Sequence, residues 1–218
     1  MMKGNLYMYN IPRLTATRCS KETTIDKVIL TPLAVDEDAI LDYTKWINDE
    51  DIVHWVDHSY KVTTIEEERK WATSDTGEMK FSIYIDAQYS APQLIGTCTI
   101  TLSACNTNAT LGILIGDKDW RGKGVGLTVI NMLTKYAFEE LRVHRCHILM
   151  VEDNEKALKC YTNAGYTICG TEHEAFWYHG HYANVLHLEY LFDDYVSKKM
   201  QEFINNDIVP EEIFEDSK

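Results

Sequence analysis

A chain of 218 residues with 45% hydrophobic residues and only 4 prolines is long enough for one sizeable core, which excludes disorder throughout. Its 34 acidic against 21 basic residues give a formal charge of −13, which argues against a nucleic-acid binder and favours cationic partners such as amines in the long-range field. Six cysteines without a C-x-x-C pair lie in apolar segments and read as reduced core thiols rather than zinc ligands or disulfides.

Residues 1–25 hold no apolar run of signal-peptide length, and they read as an extension outside the core. No stretch approaches the roughly 20 apolar residues that span a bilayer. A cytoplasmic protein without membrane or nucleic-acid partners is therefore expected.

"KVILTPL" (27–33) is rich in β-branched residues and reads as a strand ended by Pro32. "DEDAILDYTKWIND" (36–49) opens with acids suited to a helix N-terminus and places Ile40, Tyr43 and Ile47 on one face. "EDIVHWVDHSYKV" (50–62) lacks a clear period and is read as a loop or short helical turn. Thr64 and Glu67 form a capping box for a helix over 64–72. Strands are expected over 79–86, 93–102 and 109–116, separated by turn-rich segments.

Val129, Ile130, Leu133, Tyr136, Ala137 and Leu141 then recur at helical spacing. A strand over 144–151 precedes a helix over 155–164 that Gly165 ends. Two final strands flank His179-Gly180, an X-Gly pair suited to a hairpin turn. Residues 193–218 carry eight acids against three lysines and read as a helix followed by a solvated tail or a linker to a further domain. The expected organisation is thus an extension (1–25), one domain (26–192) and a C-terminal helix and acidic tail (193–218). Its fold class is α/β or α+β, a single sheet with helices on its faces.

The most informative stretch is "GDKDWRGKGVGL" (116–127). A phosphate loop needs G-x-x-x-x-G-K-[ST], but Gly116 lies one residue too far from Gly122-Lys123, and Gly124 replaces the Ser/Thr. A dinucleotide fingerprint needs a third glycine where Leu127 stands. What remains is an arginine-flanked glycine turn at a strand–helix junction. There, free backbone N–H groups and the helix N-terminus can hold a phosphate or pyrophosphate, with Arg121 and Lys123 adding charge.

"RGKGVG" (121–126) resembles the [Q/R]-x-x-G-x-[G/A] signature of the GNAT superfamily of acetyl-CoA-dependent N-acetyltransferases. "VEDNEKALKCYTNAGY" (151–166) is similar to that family's N-x-x-A-x-x-x-Y segment, and the resemblance extends over roughly residues 27–191. It implies a GNAT-like fold with a mixed, mostly antiparallel sheet of about seven strands. By the same resemblance, the amides of Arg121, Gly122, Lys123, Gly124, Val125 and Gly126 hold the coenzyme A pyrophosphate, and Ile113, Leu114 and Ile115 pair with the pantetheine arm. The last point requires a splay between that strand and 144–151. Asn154 contacts the cofactor, and Tyr161 points its hydroxyl at the thioester sulfur as general acid. Asn154 also suits a helix cap, with Tyr161 almost two turns on, so both face one side.

The chemistry implied is direct acyl transfer to an amine, with no metal and no covalent enzyme intermediate; Cys160 is read as core. If the amine has a pKa near ~10.4, its deprotonation at pH 7 costs about 4–5 kcal/mol, so a base or ordered water is required. Glu172, His173, Glu174, His54, Asp57 and His58 are the candidates, with none singled out. His179 and His181 read as hairpin residues rather than metal ligands.

The pattern resembles the GNAT branch of ribosomal-protein N-terminal, polyamine and nucleotide-amino-sugar acetyltransferases. Trp46, His54, Trp55, Trp177 and Tyr178 are the acceptor-side candidates, because flat aromatic faces stack on sugars or nucleobases. The Trp and His residues of the 50–62 loop and the "IGDKDW" form lean the expectation towards an amino sugar that is nucleotide-linked, with a polyamine or a protein N-terminal amine as the alternative. A GNAT-like domain that binds acyl-CoA without turnover is the reading of a different class. The partners expected are a small-molecule amine and, for assembly, a second copy or a fused domain.

Overall fold

In the computed structural model, which describes residues 13–19, 25–56, 61–86, 91–105 and 107–205, the β-branched segments pair into one sheet. Its strands are Leu14–Cys19 (β1), Ile25–Pro32 (β2), Glu78–Asp86 (β3), Gln93–Leu102 (β4), Asn108–Ile115 (β5), Arg145–Val151 (β6), Thr167–Tyr178 (β7) and His181–Leu191 (β8). They lie in the order β1-β2-β3-β4-β5-β6-β8-β7, antiparallel throughout except for β5 and β6. Eight strands replace the expected seven, and the addition is β1. Six residues of the supposed extension pair antiparallel with β2, and Leu14 packs against the core. The segment LTATRC is too short and too polar to read as a core strand, yet its β-branched residues suit pairing at a sheet edge.

The helices are Glu37–Ile47 (α1), Glu50–Val53 (α2), Ile65–Thr73 (α3), Val125–Glu139 (α4), Glu155–Ala164 (α5) and Phe192–Asn205 (α6). Asp36 caps α1 by accepting from the Ala39 N–H, and α3 carries the Thr64–Glu67 capping box in full. Helices α4 and α5 cover one face of the sheet, where Phe81, Ile83, Ile130, Leu133 and Ile148 are sealed from water. Each such side chain contributes about 1.5–3 kcal/mol of burial. Helices α1 and α3 cover part of the opposite face. Ile40, Tyr43 and Trp46 are buried there while Ile47 is only half-buried, and the Tyr43 hydroxyl meets Ser82 Oγ at 2.7 Å. That second layer ends near Leu94 and Leu114, so the same face of β6, β8 and β7 carries no helix among the described residues.

The cysteine expectation holds only in part. Cys98 and Cys146 are buried and Cys160 half-buried, but Cys105 and Cys169 are exposed. All five are free. No helix among the described residues is long and apolar enough to cross a membrane.

Candidate active site

Among the described residues the parallel pair β5–β6 is the only seam of its kind in the sheet, and it is short. Only Asn108↔Arg145, Ala109↔Cys146 and Thr110↔His147 are in register. Beyond Thr110, β5 continues to Ile115 in full pairing with β4, while β6 continues to Val151 in pairing with β8. The two strands therefore diverge, leaving the β6-facing edge of residues 111–115 without a strand. This is the splay that a pantetheine arm on Ile113, Leu114 and Ile115 requires, and it opens at the carboxyl ends of two parallel strands.

The glycine loop closes the β5 side of this opening. Gly122 and Gly124 have φ of 71° and 79°, left-handed values that cost any other L-residue about 1–2 kcal/mol. Gly124 is the N-cap of the 15-residue α4 and offers no side chain, so the first amides of the helix stay open to a ligand. Among the described residues, the N–H groups of 122–127 have no backbone acceptor. Together with the positive end of α4 they fit a pyrophosphate. Arg121 behaves differently from expectation. Its Nε and Nη2 donate to the carbonyls of Ile115 (2.9 Å) and Gly116 (2.8 Å), so the guanidinium ties the loop to β5 instead of reaching outward. Lys123 remains the loop's outward cation, its ammonium 5.1 Å above the Trp120 ring. Gln93 braces the turn by donating to Asp117 (2.7 Å) and accepting from the Trp120 indole (3.3 Å).

On the β6 side, Asn154 caps α5, accepting from the Ala157 N–H at 3.1 Å. Helix α5 leans on α4 where a Cβ on Gly126 would lie 3.6 Å from Cys160 Sγ. Tyr161 is buried in the main core, and burial pushes its phenol well above the ordinary value, so it stays protonated at neutral pH. Its hydroxyl makes no hydrogen bond among the described residues. Burial also pushes the Cys160 thiol up to about 11, which leaves it an un-ionised neighbour.

The acceptor-side candidates separate into two groups. Trp55 stacks on Tyr178, with ring centroids 4.8 Å apart and planes at 30°, and His54 lies 4.1 Å from His179. This cluster joins α2 to the β7–β8 hairpin tip, whose turn residues His179 and Gly180 have φ of 42° and 87°. Helix α2 is fixed to the β5 side, because Lys118 pairs with Asp49 (3.2 Å) and Asp51 (2.7 Å). The hairpin is fixed to the β6 side, because His181 pairs with Asp153 (3.3 Å) and Asn184 donates to Glu152 (2.7 Å). The aromatic cluster thus bridges the mouth of the splay.

Trp46 and Trp177 do not join it. Trp46 is core, wedged against Gly116. Trp177 lies on the other side of β7 and packs edge-on to Tyr182 across the hairpin. Asp57 and His58 lie outside the described residues. His173 and Glu174 fall in the irregular stretch of β7, where Glu174 has φ of 52° and its N–H donates to Asn184. His179, set aside as a turn residue, proves part of the bridge; its place at a hairpin tip gave no periodic signal. The Lys118 contacts were equally illegible, since they link residues nearly seventy positions apart.

A strand–glycine turn–helix beside a splayed parallel pair, with the buried Tyr161 on the helix packed against α4, makes up the candidate site. Comparison with known proteins gives its class. The family model described as an acetyltransferase (GNAT) domain matches residues 27–167, and the chain belongs to that family of acyltransferases. It is 26% identical over 146 residues to a spermidine N(1)-acetyltransferase of Vibrio cholerae, covering 66% of this chain and 82% of that one. It is 46% identical to acetyltransferase PseH of Campylobacter jejuni over 46 residues, which is 21% of this chain and 29% of PseH. The crystal structure of the Vibrio cholerae spermidine N-acetyltransferase in complex with CoA and spermine superposes with a TM-score of 0.67 at 23% identity, covering 78% of this chain and 98% of that one. A GNAT-family acetyltransferase from Bacillus anthracis superposes with a TM-score of 0.65 at 13% identity, covering 82% and 99%. At those identities the superpositions establish the fold.

Proposed function

We propose that this N-acetyltransferase uses acetyl-CoA to acetylate the primary amine of a ring-bearing acceptor, an amino sugar that is nucleotide-linked. The observation that carries the acceptor reading is the Trp55–Tyr178 stack, flanked by His54 and His179 across the mouth of the splay. Flat aromatic faces bind sugar rings and nucleobases by apolar contact, whereas a polyamine site needs unpaired carboxylates. At α2, Asp49 and Asp51 share a single counterion, Lys118.

Acetyl-CoA supplies the acyl group already activated as a thioester. The chain's own residues do the rest. The amides of 122–126 and Lys123 hold the pyrophosphate, the free edge of Ile113–Ile115 aligns the arm, and Asn154 fixes the start of α5. Tyr161 donates its proton to the departing sulfur; general acid catalysis of this kind contributes typically ~10²–10⁴-fold. Fixing both reactants on a preformed loop and strand edge removes much of the entropic barrier.

A second reading, a polyamine acceptor, is favoured by the likeness to the Vibrio cholerae spermidine N(1)-acetyltransferase over most of that protein's length. Thiol release from acetyl-CoA separates the two readings when measured with a nucleotide-linked amino sugar, spermidine, an N-terminal Ala/Ser peptide and no acceptor. Release with the amino sugar alone supports the first reading, and release with spermidine alone replaces it with the second.

A further inference from the structure

The half-exposed His147 and His187 and the exposed Glu172, on the uncovered face of β6, β8 and β7, form a continuous hydrogen-bonded chain. His147 Nε2 lies 3.1 Å from His187 Nδ1, and His187 Nε2 lies 2.7 Å from Glu172 Oε1. Arg145 and Glu189 flank it as an ion pair at 3.3 Å. Cys169 donates to the His187 carbonyl at 3.4 Å. His187, Glu172, Arg145, Cys169 and Glu189 also line an open surface depression that His147 does not reach, and the cluster has no role in the site described above.

Its position relative to the fork is specific. His147 is the last β6 residue paired with β5, opposite Thr110, so it stands where the two strands part. Its sequence neighbours Cys146 and Ile148 are buried on the α4–α5 side, which sends His147 to the opposite face. On that face the next β5 residue after Thr110 is Gly112. A Cβ there would meet Thr99 Oγ1 at 2.7 Å, so only a glycine lets the Thr99 hydroxyl lie over the backbone beside the apex. Tyr161 belongs to the α4–α5 side. A proton donor for the leaving sulfur and an acceptor for the attacking nitrogen thus lie on opposite faces of the splay.

We propose that His147 takes the proton from the acceptor's ammonium group, with His187 and Glu172 as positioning residues that set its tautomer. This deepens the acetyltransferase reading above and rests on it. The hydrogen-bond order fixes the roles. The Glu172 carboxylate can only accept, so His187 donates from Nε2 and presents the Nδ1 lone pair. His147 must then donate from Nε2, which leaves its own Nδ1 unprotonated; no hydrogen bond occupies that atom among the described residues.

The steps balance. Nδ1 of His147 takes one proton from R–NH3+, giving R–NH2 and an imidazolium. The nitrogen lone pair forms the C–N bond as the C–S bond breaks, and the sulfur receives the Tyr161 proton. The second nitrogen proton restores the phenol through water. The imidazolium passes its Nε2 proton to His187, beside the Glu172 carboxylate, and from there it leaves to solvent.

The groups facing His147 are Arg145 on its own strand, His187 and Glu189 on β8, and Glu172 and Cys169 on β7; β5 contributes Thr110, which does not titrate. Burial first, then Arg145 and His187, hold the His147 imidazole below its ordinary value, with Glu189 opposing them. It is therefore neutral, and able to accept, at pH 7.

The test uses the full chain with two readouts. In the ligand-free protein, ¹⁵N NMR of the imidazoles is expected to show His147 as the Nε2–H tautomer at pH 7. With acetyl-CoA and the amine found active, His147→Gln is expected to lower thiol release about 100-fold. The acid limb of its pH profile is expected to vanish, while the acetyl-CoA-induced rise in melting temperature is kept. Should that variant not fold, Glu172→Gln, at an exposed position, is expected to slow turnover and move the acid limb to lower pH, because the anion favouring imidazolium is gone. An Nδ1–H tautomer, or variants matching the wild-type rate and profile, overturns the relay alone. A wild-type chain that transfers to no amine overturns the acetyltransferase reading and the relay with it.

Discussion

The backbone of Gly116 lies flat against the indole of Trp46, and a Cβ at that position would fall inside the ring. The contact joins the end of β5, where the glycine loop begins, to the last turn of α1. Gly116→Ala must push the ring aside, and overpacking of this kind costs about 1–3 kcal/mol. The expected result is a lower urea midpoint at unchanged slope, with weaker acetyl-CoA binding because Arg121 anchors the loop on the Gly116 carbonyl.

Gly124→Ala forces a Cβ into a φ of 79° at the N-cap of α4. A strain of about 1–2 kcal/mol is expected in stability. The larger effect falls on the Michaelis constant for acetyl-CoA, since a distorted cap turns the open amides away from the anion. Titration of the melting temperature with acetyl-CoA checks both parts.

Tyr161→Phe removes one oxygen that has no hydrogen-bond partner among the described residues, so the melting temperature is expected to hold. Turnover is expected to fall by about 10² or more at saturating substrates. Full turnover in the variant would take the phenol out of the mechanism and leave it a core residue.

Lys118→Met frees the Asp49 and Asp51 carboxylates beside the aromatic bridge. Two charges about 4 Å apart in water interact by about 1 kcal/mol, so the kcat/KM ratio of spermidine to the amino sugar is expected to rise about five- to tenfold. An unchanged ratio would mean that these carboxylates do not face the acceptor.

Lys61, and then the Thr64 N–H, pull the Glu67 carboxyl down to about 2 from an ordinary 4.5. A group whose folded value is depressed stabilises the fold above its unfolded value and loses that contribution as pH falls through the folded one. The stability difference between wild type and Glu67→Gln is therefore expected to be full above about pH 5 and to shrink from there towards pH 2. Denaturation midpoints across that range measure it.

Local signals carried most of the fold. The capping box at Thr64, the hairpin turn at His179-Gly180 and the strand–turn–helix at Gly122–Gly126 each follow from a few adjacent residues, and each is present. Strand β1 escaped notice because LTATRC gains its stability from pairing with β2 rather than from its own pattern. Within the site, residue types were legible and directions were not. Arg121 looked like an anion ligand, but its guanidinium serves two carbonyls that chain order alone does not bring within reach. Trp46 and Trp55 looked equivalent in sequence; packing against Gly116 buries one, and stacking on Tyr178 recruits the other. His147 drew no attention because its importance depends on where the β5–β6 register stops, a property of two strands separated by a helix.

That register has a mechanical consequence. Two halves of one sheet, β1–β5 and β6–β8, meet along a seam of three residue pairs, with α4 laid against both like the spine of a book. Every other boundary of the sheet is stitched over six or more pairs. Breathing of the molecule is thereby channelled into a single line. Amide exchange should be fastest along the facing edges of residues 111–115 and 148–151, and a molecule seated between them should slow it like a bookmark that keeps the pages from shifting.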